Sequence, residues 1–487
     1  MTKIILPFVF ICILYFPLPT MAQSQWPTLS QLEKEYHKYK VEEINSRKFT
    51  ISDIEPLLKR AGRESNMTID ILGRSVENRP IYKMSYGHGP IKILYWSQMH
   101  GDESTATMAL LDFFRWLSPQ NSEHSDILEE ISKKYTLYFV PMLNPDGAER
   151  FQRRNALNID LNRDAIRTTS PEAKLLKNLR DSLQPQFGFN LHDQSIYYRA
   201  GLDGDQVALG FLAPAYNHSK DINGVRFTAM QVIASLYDSL QYELPRQIAK
   251  YDDTFEPRAF GDNFQKWGTS TILIESGGSK NDPQKQYLRK INFFTFIKSL
   301  EIIHRDLYLT KSIVDYEKIP FNQHKMLDLI IENLKYQYRG KTYEINIGYS
   351  KGNKNNAYIN DIGDLSVYSG FDSFDASPYM AHVPKVSPHI HINRSDFAKS
   401  DWASAVQDGT LHFIVQQGGP KLPDYFPIQF YTDIKSSSSD KKFKPYNIGE
   451  NPTIVLSKNN RPEYVVSNGK IYSIESIIKE MKSILTK

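Results

Sequence analysis

The sequence predicts an α/β fold, in which a mixed, mainly parallel central sheet flanked by helices precedes a β-rich C-terminal domain. Two observations carry this reading. Up to about residue 310, short β-rich runs alternate with helical stretches, the pattern of strands joined by crossover helices. Beyond it, strand-like runs are separated by Gly, Asn, Asp and Pro turns and end in an amphipathic helix. The expected division is 1–22, 23–310 and 311–487.

Taken in order, residues 28–62 read as helical, with apolar residues at helical spacing among Lys and Glu. Gly73 to Tyr82 is a turn leading into a strand. Ile91 to Ser97 is a buried-strand candidate, followed by an apolar helix over Thr105 to Leu117. Tyr135 to Leu143 and Thr269 to Ile274 are further strands, and 172–183, 228–240 and 284–305 are helical. In the C-terminal part, Tyr336 to Gly348, Asp364 to Tyr368, Pro388 to Ile392, Thr410 to Gln417 and Thr453 to Ser457 are strand-like. Ile474, Ile477, Ile478, Met481, Ile484 and Leu485 line one face of the closing helix, a core-packing stripe. Lys435 to Lys442, with its serines, reads as a solvated loop, and there is no internal repeat, GxGxxG or P-loop match.

Composition removes several function classes. One cysteine in 487 residues excludes a disulfide framework, a Cys-rich zinc ribbon and an iron–sulfur site. A net charge of +4 is too balanced to argue for a nucleic-acid partner. That cysteine, Cys12, lies in the apolar run Ile4 to Phe16, behind Lys3 and ahead of Thr20-Met21-Ala22, the layout of a signal peptide over residues 1–22. An uncleaved N-terminal anchor is the competing reading. Signal removal leaves an exported chain, periplasmic or secreted, without cysteine. No later segment approaches the ~18 unbroken apolar residues of a membrane span.

The chemistry-bearing residues follow apolar strands. Ile93-Leu94-Tyr95-Trp96 leads to His100-Gly101-Asp102-Glu103, where a His and a carboxylate three apart can turn toward one point and suit zinc. A third donor is needed, and Phe187-Gly188-Phe189-Asn190-Leu191-His192 offers one, although His192 taken alone reads more readily as a buried, hydrogen-bonded core histidine. Between them lie Asn144-Pro145-Asp146-Gly147, Arg153-Arg154-Asn155 and Asp160-Leu161-Asn162-Arg163. Thr271-Ile272-Leu273-Ile274-Glu275 ends an apolar strand on a carboxylate, which is costly to bury without a partner or a role.

In this order the motifs make the segment from about Gly73 through Leu300 resemble the M14 zinc carboxypeptidases, the funnelin-like metallopeptidases, in an exported bacterial form. The resemblance implies His100, Glu103 and His192 as ligands of one zinc ion and Glu275 as the base for a zinc-bound water. It also implies Arg153 as the oxyanion residue (with Arg154 as its rival), Asn162 and Arg163 as the grip on a terminal carboxylate, and Asp160 as the acid orienting the first histidine. A zinc-dependent metallocarboxypeptidase acting on peptides with a free carboxylate is the implied activity. A zinc amidase or deacylase acting on cell-wall peptides or N-acyl amino acids, and a non-catalytic binding protein of the same fold, are the competing readings. Oligomeric state and side-chain specificity are not legible.

Three places depart from the family pattern. Tyr251 is the only tyrosine ahead of the Glu275 strand in the segment where the family has a mobile one, and its alignment is open. Asp253, Arg258 and Asp262 could read a polar substrate group or form loop ion pairs. Asp193 puts an acid directly after a ligand histidine. His389 and His391 share a strand face but lack a third donor.

Overall fold

The computed structural model describes residues 25–119, 123–352, 356–390, 401–415, 421–423, 426–431 and 446–485. The segment read as a signal peptide, His391 and the 435–442 loop lie outside the described residues.

The helical region expected over 28–62 is two helices, α1 (Leu29–Tyr39) and α2 (Ile51–Glu64). The chain breaks between them because Val41, Ile44 and Phe49 turn into the core. Each helix then starts on its own cap: Gln31 N–H donates to Thr28 Oγ1 (3.2 Å), and Thr50 N–H donates to Asp53 Oδ2 (2.7 Å).

The first sheet uses β1 (Thr68–Arg74), β2 (Pro80–Gly87), β3 (Ile91–Ser97), β4 (Tyr135–Val140) and β5 (Phe187–Asp193). After the short β6 (Tyr198–Ala200), β7 (Leu209–Leu212), β8 (Ile248–Lys250) and β9 (Ser270–Ser276) complete it. Its order is β1-β2-β4-β3-β5-β9-β7-β8, with β4, β3, β5 and β9 mutually parallel, β7 parallel to β8, and the remaining pairings antiparallel. The sheet is therefore mixed and mainly parallel, as expected. The helices between the strands are α3 (Thr105–Trp116), α4 (Ser125–Lys134), α5 (Pro145–Arg150), α6 (Pro171–Leu183), α7 (Gly224–Leu240), α8 (Phe260–Lys266) and α9 (Gln286–His304).

Alternation along β3 shows why its sequence is apolar throughout. Ile93 and Tyr95 pack into a core shared with α3, α7 and α9, while Leu94 and Trp96 pack on the other face with α6 and α8. Tyr95 stacks on Phe189 at 4.5 Å between ring centroids, and Trp96 meets Phe264 edge-on at the same distance. The N-terminal arm is held to this core by a fully buried ion pair. Asp112 on α3 accepts from Arg289 Nε (2.7 Å), Tyr36 Oη (2.8 Å) and Val41 N (2.8 Å).

Past α10 (Ile313–Glu317), β10 (Asn322–His324) pairs with β6. The second large sheet contains β11 (Met326–Tyr338), β12 (Lys341–Lys351), β13 (Ala357–Ile362), β14 (Ser369–Asp375) and β15 (Met380–His382). Next come β16 (Lys385–Ile390), α11 (Trp402–Gln407), β17 (Thr410–Val415) and β18 (Gln429–Tyr431), whose strands form a separate three-stranded sheet. The large sheet is completed by β19 (Ile454–Lys458), β20 (Arg461–Ser467) and β21 (Lys470–Ser473). Two expectations need correction. Tyr336 to Gly348 is a hairpin rather than one strand: it turns at Arg339-Gly340, both with positive φ (48° and 75°). Asp364 to Tyr368 is a turn, and the strand begins at Ser369. The closing helix α12 (Ile474–Leu485) packs as expected, with Ile474, Ile477 and Met481 buried.

Candidate metal centre

The four residues singled out by their placement after apolar strands converge because β3, β5 and β9 are neighbours and parallel. Their C-terminal ends open on one side of the sheet, where α/β folds place ligands. His192 and Glu275 are direct register partners, so both side chains leave the same face. His100 and Glu103 follow in the loop after β3. That loop is held by Gln98 Nε2 donating to Gly101 O (2.9 Å) and by Asn144 Nδ2 donating to Met99 O (3.1 Å).

Gly101 explains why the loop and the Asn144-Pro145-Asp146-Gly147 turn go together. A Cβ on Gly101 would lie 2.0 Å from the Gly147 carbonyl carbon and 2.3 Å from Ala148 N. These are backbone atoms and cannot yield. Gly101→Ala is expected to destabilise the chain by about 1–3 kcal/mol and to weaken zinc uptake by displacing the loop. Thermal unfolding with and without zinc measures both effects.

His100, Glu103 and His192 are buried, and each offers a donor atom within 4.8 Å of the others. Glu103 sits between the imidazoles, with Oε1 2.7 Å from His100 Nδ1 and Oε2 2.8 Å from His192 Nδ1. Burial disfavours its charge, but the two histidines outweigh that and hold the carboxyl well below its ordinary range. His100 Nε2 lies 3.1 Å from Asp160 Oδ1, which leaves Nδ1 to face the ligand group. Burial acts against protonation of His100, yet the charge of Glu103 and the bond to Asp160 push its pKa up to about 9. His192 is shifted down, chiefly by burial. Two nitrogens and a carboxylate oxygen on rigid elements suit zinc.

Arg153, not Arg154, faces this group. Asn144 Nδ2 and Gly101 N both donate to its carbonyl at 3.4 Å, which fixes its backbone against the loop. Its Nε donates to Asp160 Oδ2 (3.0 Å), and an Nη donates to Glu103 Oε1 (3.2 Å). Arg154 instead donates to Asn158 O (3.0 Å) on the exposed side. Asp160, held by His100 and Arg153 against the opposing effect of burial, lies well below the usual carboxylate range.

Glu275 has one oxygen, Oε2, buried and without a hydrogen-bond partner. Burial and then the charge of Glu103 raise its pKa well above the ordinary value. Tyr251 stands beside it. Its pKa is raised by burial and then by the charge of Glu275, and its ring meets Tyr198 at 5.6 Å. The sequence showed this tyrosine, but its proximity to Glu275 depends on β8 entering the sheet edge, which no local signal reports. Asp193 turns away from the donors. Its Oδ2 accepts from Thr105 Oγ1 (2.7 Å) and pairs with the buried Lys285 Nζ (3.1 Å).

Asn162 and Arg163 follow Asp160 on a single 3₁₀ turn, and both are engaged by the loop before α8. Asn162 Oδ1 accepts from Phe260 N (2.9 Å), and Arg163 Nε lies 3.2 Å from Glu256 Oε2. Of the loop residues left open between substrate reading and ion pairing, Asp253 pairs with Lys220 (2.7 Å) and Arg226 (2.6 Å), and Arg258 pairs with Glu256 (2.9 Å). Asp262 accepts from Glu256 N (2.9 Å), and its pKa is pushed up to about 7 by burial.

With this geometry in place, comparison with known proteins agrees. Residues 57–187 match the family model described as zinc carboxypeptidase, Peptidase_M14. Human carboxypeptidase D is 27% identical over 194 residues, which cover 35% of this chain and 14% of that protein. Carboxypeptidase SOL1 of Arabidopsis thaliana is 32% identical over 99 residues, 19% of this chain and 20% of that one. Among solved structures, a metallo-carboxypeptidase from Burkholderia cenocepacia aligns over 53% of this chain and 70% of its own, at 16% identity and a TM-score of 0.42. Over residues 57–187 the chain is thus similar to the zinc carboxypeptidase domain of the M14 family. The chain spans only a small part of the length of these curated relatives, and the segment matched by the family model ends before His192 and Glu275.

Proposed function

We propose that this chain is an exported zinc-dependent metallocarboxypeptidase that hydrolyses C-terminal peptide bonds, with residues 23–310 as its catalytic unit and 311–487 as a β-rich accessory unit. The observation that carries the reading is the convergence of three buried donors, His100, Glu103 and His192, beside a carboxylate with a free buried oxygen, Glu275. The donor set fits zinc: it has two imidazoles, one carboxylate and an acid, Asp160, on the far nitrogen of His100. When bound, zinc supplies a Lewis acid that polarises a scissile carbonyl and acidifies water.

The chain's own residues do the rest. Glu275 Oε2, unpaired and raised in pKa, takes a proton from the attacking water and passes it to the leaving amine. Arg153, held by Asp160 and Glu103 beside the donors, presents its guanidinium to the developing oxyanion. Arg163 and Asn162 receive the terminal carboxylate, which gives the preference for chain ends. Residues 1–22 direct export as a cleaved signal peptide, and among the described residues no helix is long and apolar enough to cross a membrane. N-terminal sequencing of the exported protein should begin at Gln23.

The activity is tested by mass spectrometry of products from a mixed peptide and muropeptide library, with Glu275→Gln as control. Loss of single C-terminal residues, abolished by chelator and by the variant, is the expected result. Release of acyl groups or internal amide cleavage alone would replace this reading with the amidase one, and no product with zinc bound would leave a binding protein.

A further inference from the structure

We infer that Glu256 is an internal competitor for Arg163, so that the loop before α8 sets how strongly this site accepts a free C-terminal carboxylate. The inference rests on the proposed carboxylate grip of Arg163 and adds the residue that opposes it.

Glu256 holds a position that a substrate carboxylate would need. Its Oε2 lies 3.2 Å from Arg163 Nε and 2.9 Å from an Nη of Arg258, and its Oε1 accepts from Arg258 Nε (2.9 Å) and Arg258 N (3.1 Å). Three N–H groups of Arg258 thus hold this carboxylate, and the Arg163 guanidinium forms an ion pair with it. These hydrogen bonds from Arg258, with a further contribution from the charge of Arg163, hold the carboxyl down to about 2 against slight burial, so it stays ionised. The loop is built in place: Glu256 N donates to Asp262 Oδ1 (2.9 Å), Phe260 N to Asn162 Oδ1 (2.9 Å), and Ala165 N to Arg258 O (3.1 Å).

Arg163 therefore meets a substrate with Nε engaged by Glu256 and one Nη engaged by Asn162 O (2.7 Å). Two carboxylates on the same edge of a guanidinium repel, so a substrate carboxylate gains the full fork only when Glu256 withdraws. Arg258 is the partner onto which it withdraws, since it already holds both Glu256 oxygens. The two loop residues then act in opposite directions. Glu256 weakens carboxylate binding, and Arg258 eases it by retaining Glu256 after release.

Calorimetric titration tests this on the full-length, zinc-loaded chain carrying Glu275→Gln, which stops turnover. The probes are an N-acetylated tripeptide with a free C-terminal carboxylate and the same peptide as its C-terminal amide. Adding Glu256→Gln should tighten binding of the acid by roughly tenfold, the scale of a charge-assisted pair, and leave the amide within about twofold. Arg258→Gln should weaken the acid by a similar factor. Glu256→Ala repeats the first measurement without a neutral amide in the loop. Acid binding that is unchanged or weaker in both Glu256 variants, or undetectable throughout, overturns the inference. The selectivity ratio reads this contact whether or not the unsubstituted chain hydrolyses peptides, so failure of the proposed activity is seen separately, in product analysis.

Discussion

Replacing Glu275 by Gln is expected to lower kcat by roughly 10²–10⁴-fold while zinc content and Tm stay at wild-type values. The substitution keeps the shape and the end of β9 but removes the basic oxygen. Glu275 Oε2 has no hydrogen-bond partner, so no structural bond is lost with its charge. Burial and the nearby Glu103 raise the pKa of Glu275, which brings a carboxylate closer to the range where it can both accept and return a proton. A base that acts on the reacting atoms and not on binding, the role proposed for Glu275, puts the loss on kcat, with KM changed little. Atomic absorption and steady-state kinetics on the same preparation separate the two roles. A variant that lost zinc would make Glu275 part of the metal environment instead.

Zinc affinity is expected to rise about tenfold per pH unit from near pH 6.5 up to about pH 9, with one proton displaced on binding. In the metal-free chain, burial opposes charge on His100, but Glu103 and Asp160 keep the ring protonated up to about 9. A metal needs the lone pair of Nδ1, so it displaces that proton, while His192, shifted down by burial, is already neutral. The sign carries over to stability. A histidine with a raised pKa in the folded state stabilises it fully below its unfolded value of about 6.5. That contribution is lost as pH rises through about 9. Metal-free protein should therefore lose Tm across this window, and the gap between zinc-loaded and metal-free Tm should widen. Asp160→Asn should lower zinc affinity by about 10–100-fold and shift the window to lower pH. Calorimetry in two buffers of different ionisation enthalpy counts the proton. A flat dependence would mean that His100 is neutral before the metal arrives.

Much of the centre was legible in the sequence because its residues are locally anomalous. His192 and Glu275 each end a run of apolar residues, where a polar group is costly unless it has work to do. His100 and Glu103 follow such a run at a spacing that lets both turn inward. Between Arg153 and Arg154 the sequence favoured Arg153 by its spacing to Arg163, with Arg154 one residue away as its rival. The chain selects Arg153 because its carbonyl is pinned by Asn144 and Gly101, contacts across a turn that spacing alone does not reveal. The role of Glu256 was equally hidden. Its partner Arg163 is 93 residues away, and only the packing of α8 beside the 3₁₀ turn brings the two together.

The same limit explains the fold. Periodicity exposed the buried strands β3, β5 and β9, which are apolar on both faces, and the stripe of α12. It could not divide 28–62, since Val41, Ile44 and Phe49 keep the helical region apolar while their backbone leaves the helix. It also merged β11 with β12, because Arg339 adopts a left-handed conformation that its sequence does not announce. Short strands such as β7 and β8 are stabilised by pairing, not by their own residues, and were not seen.

The central claim, that His100, Glu103 and His192 hold a zinc ion which Glu275 uses to cleave the last peptide bond, is tested by a single comparison. Wild-type and Glu275→Gln proteins, each assayed for bound zinc, are incubated with one peptide, and the products are weighed by mass spectrometry. One zinc per chain is expected in both, with the C-terminal residue released only by wild type. Release at the same rate by the Glu275→Gln protein, with zinc still bound, would contradict the claim.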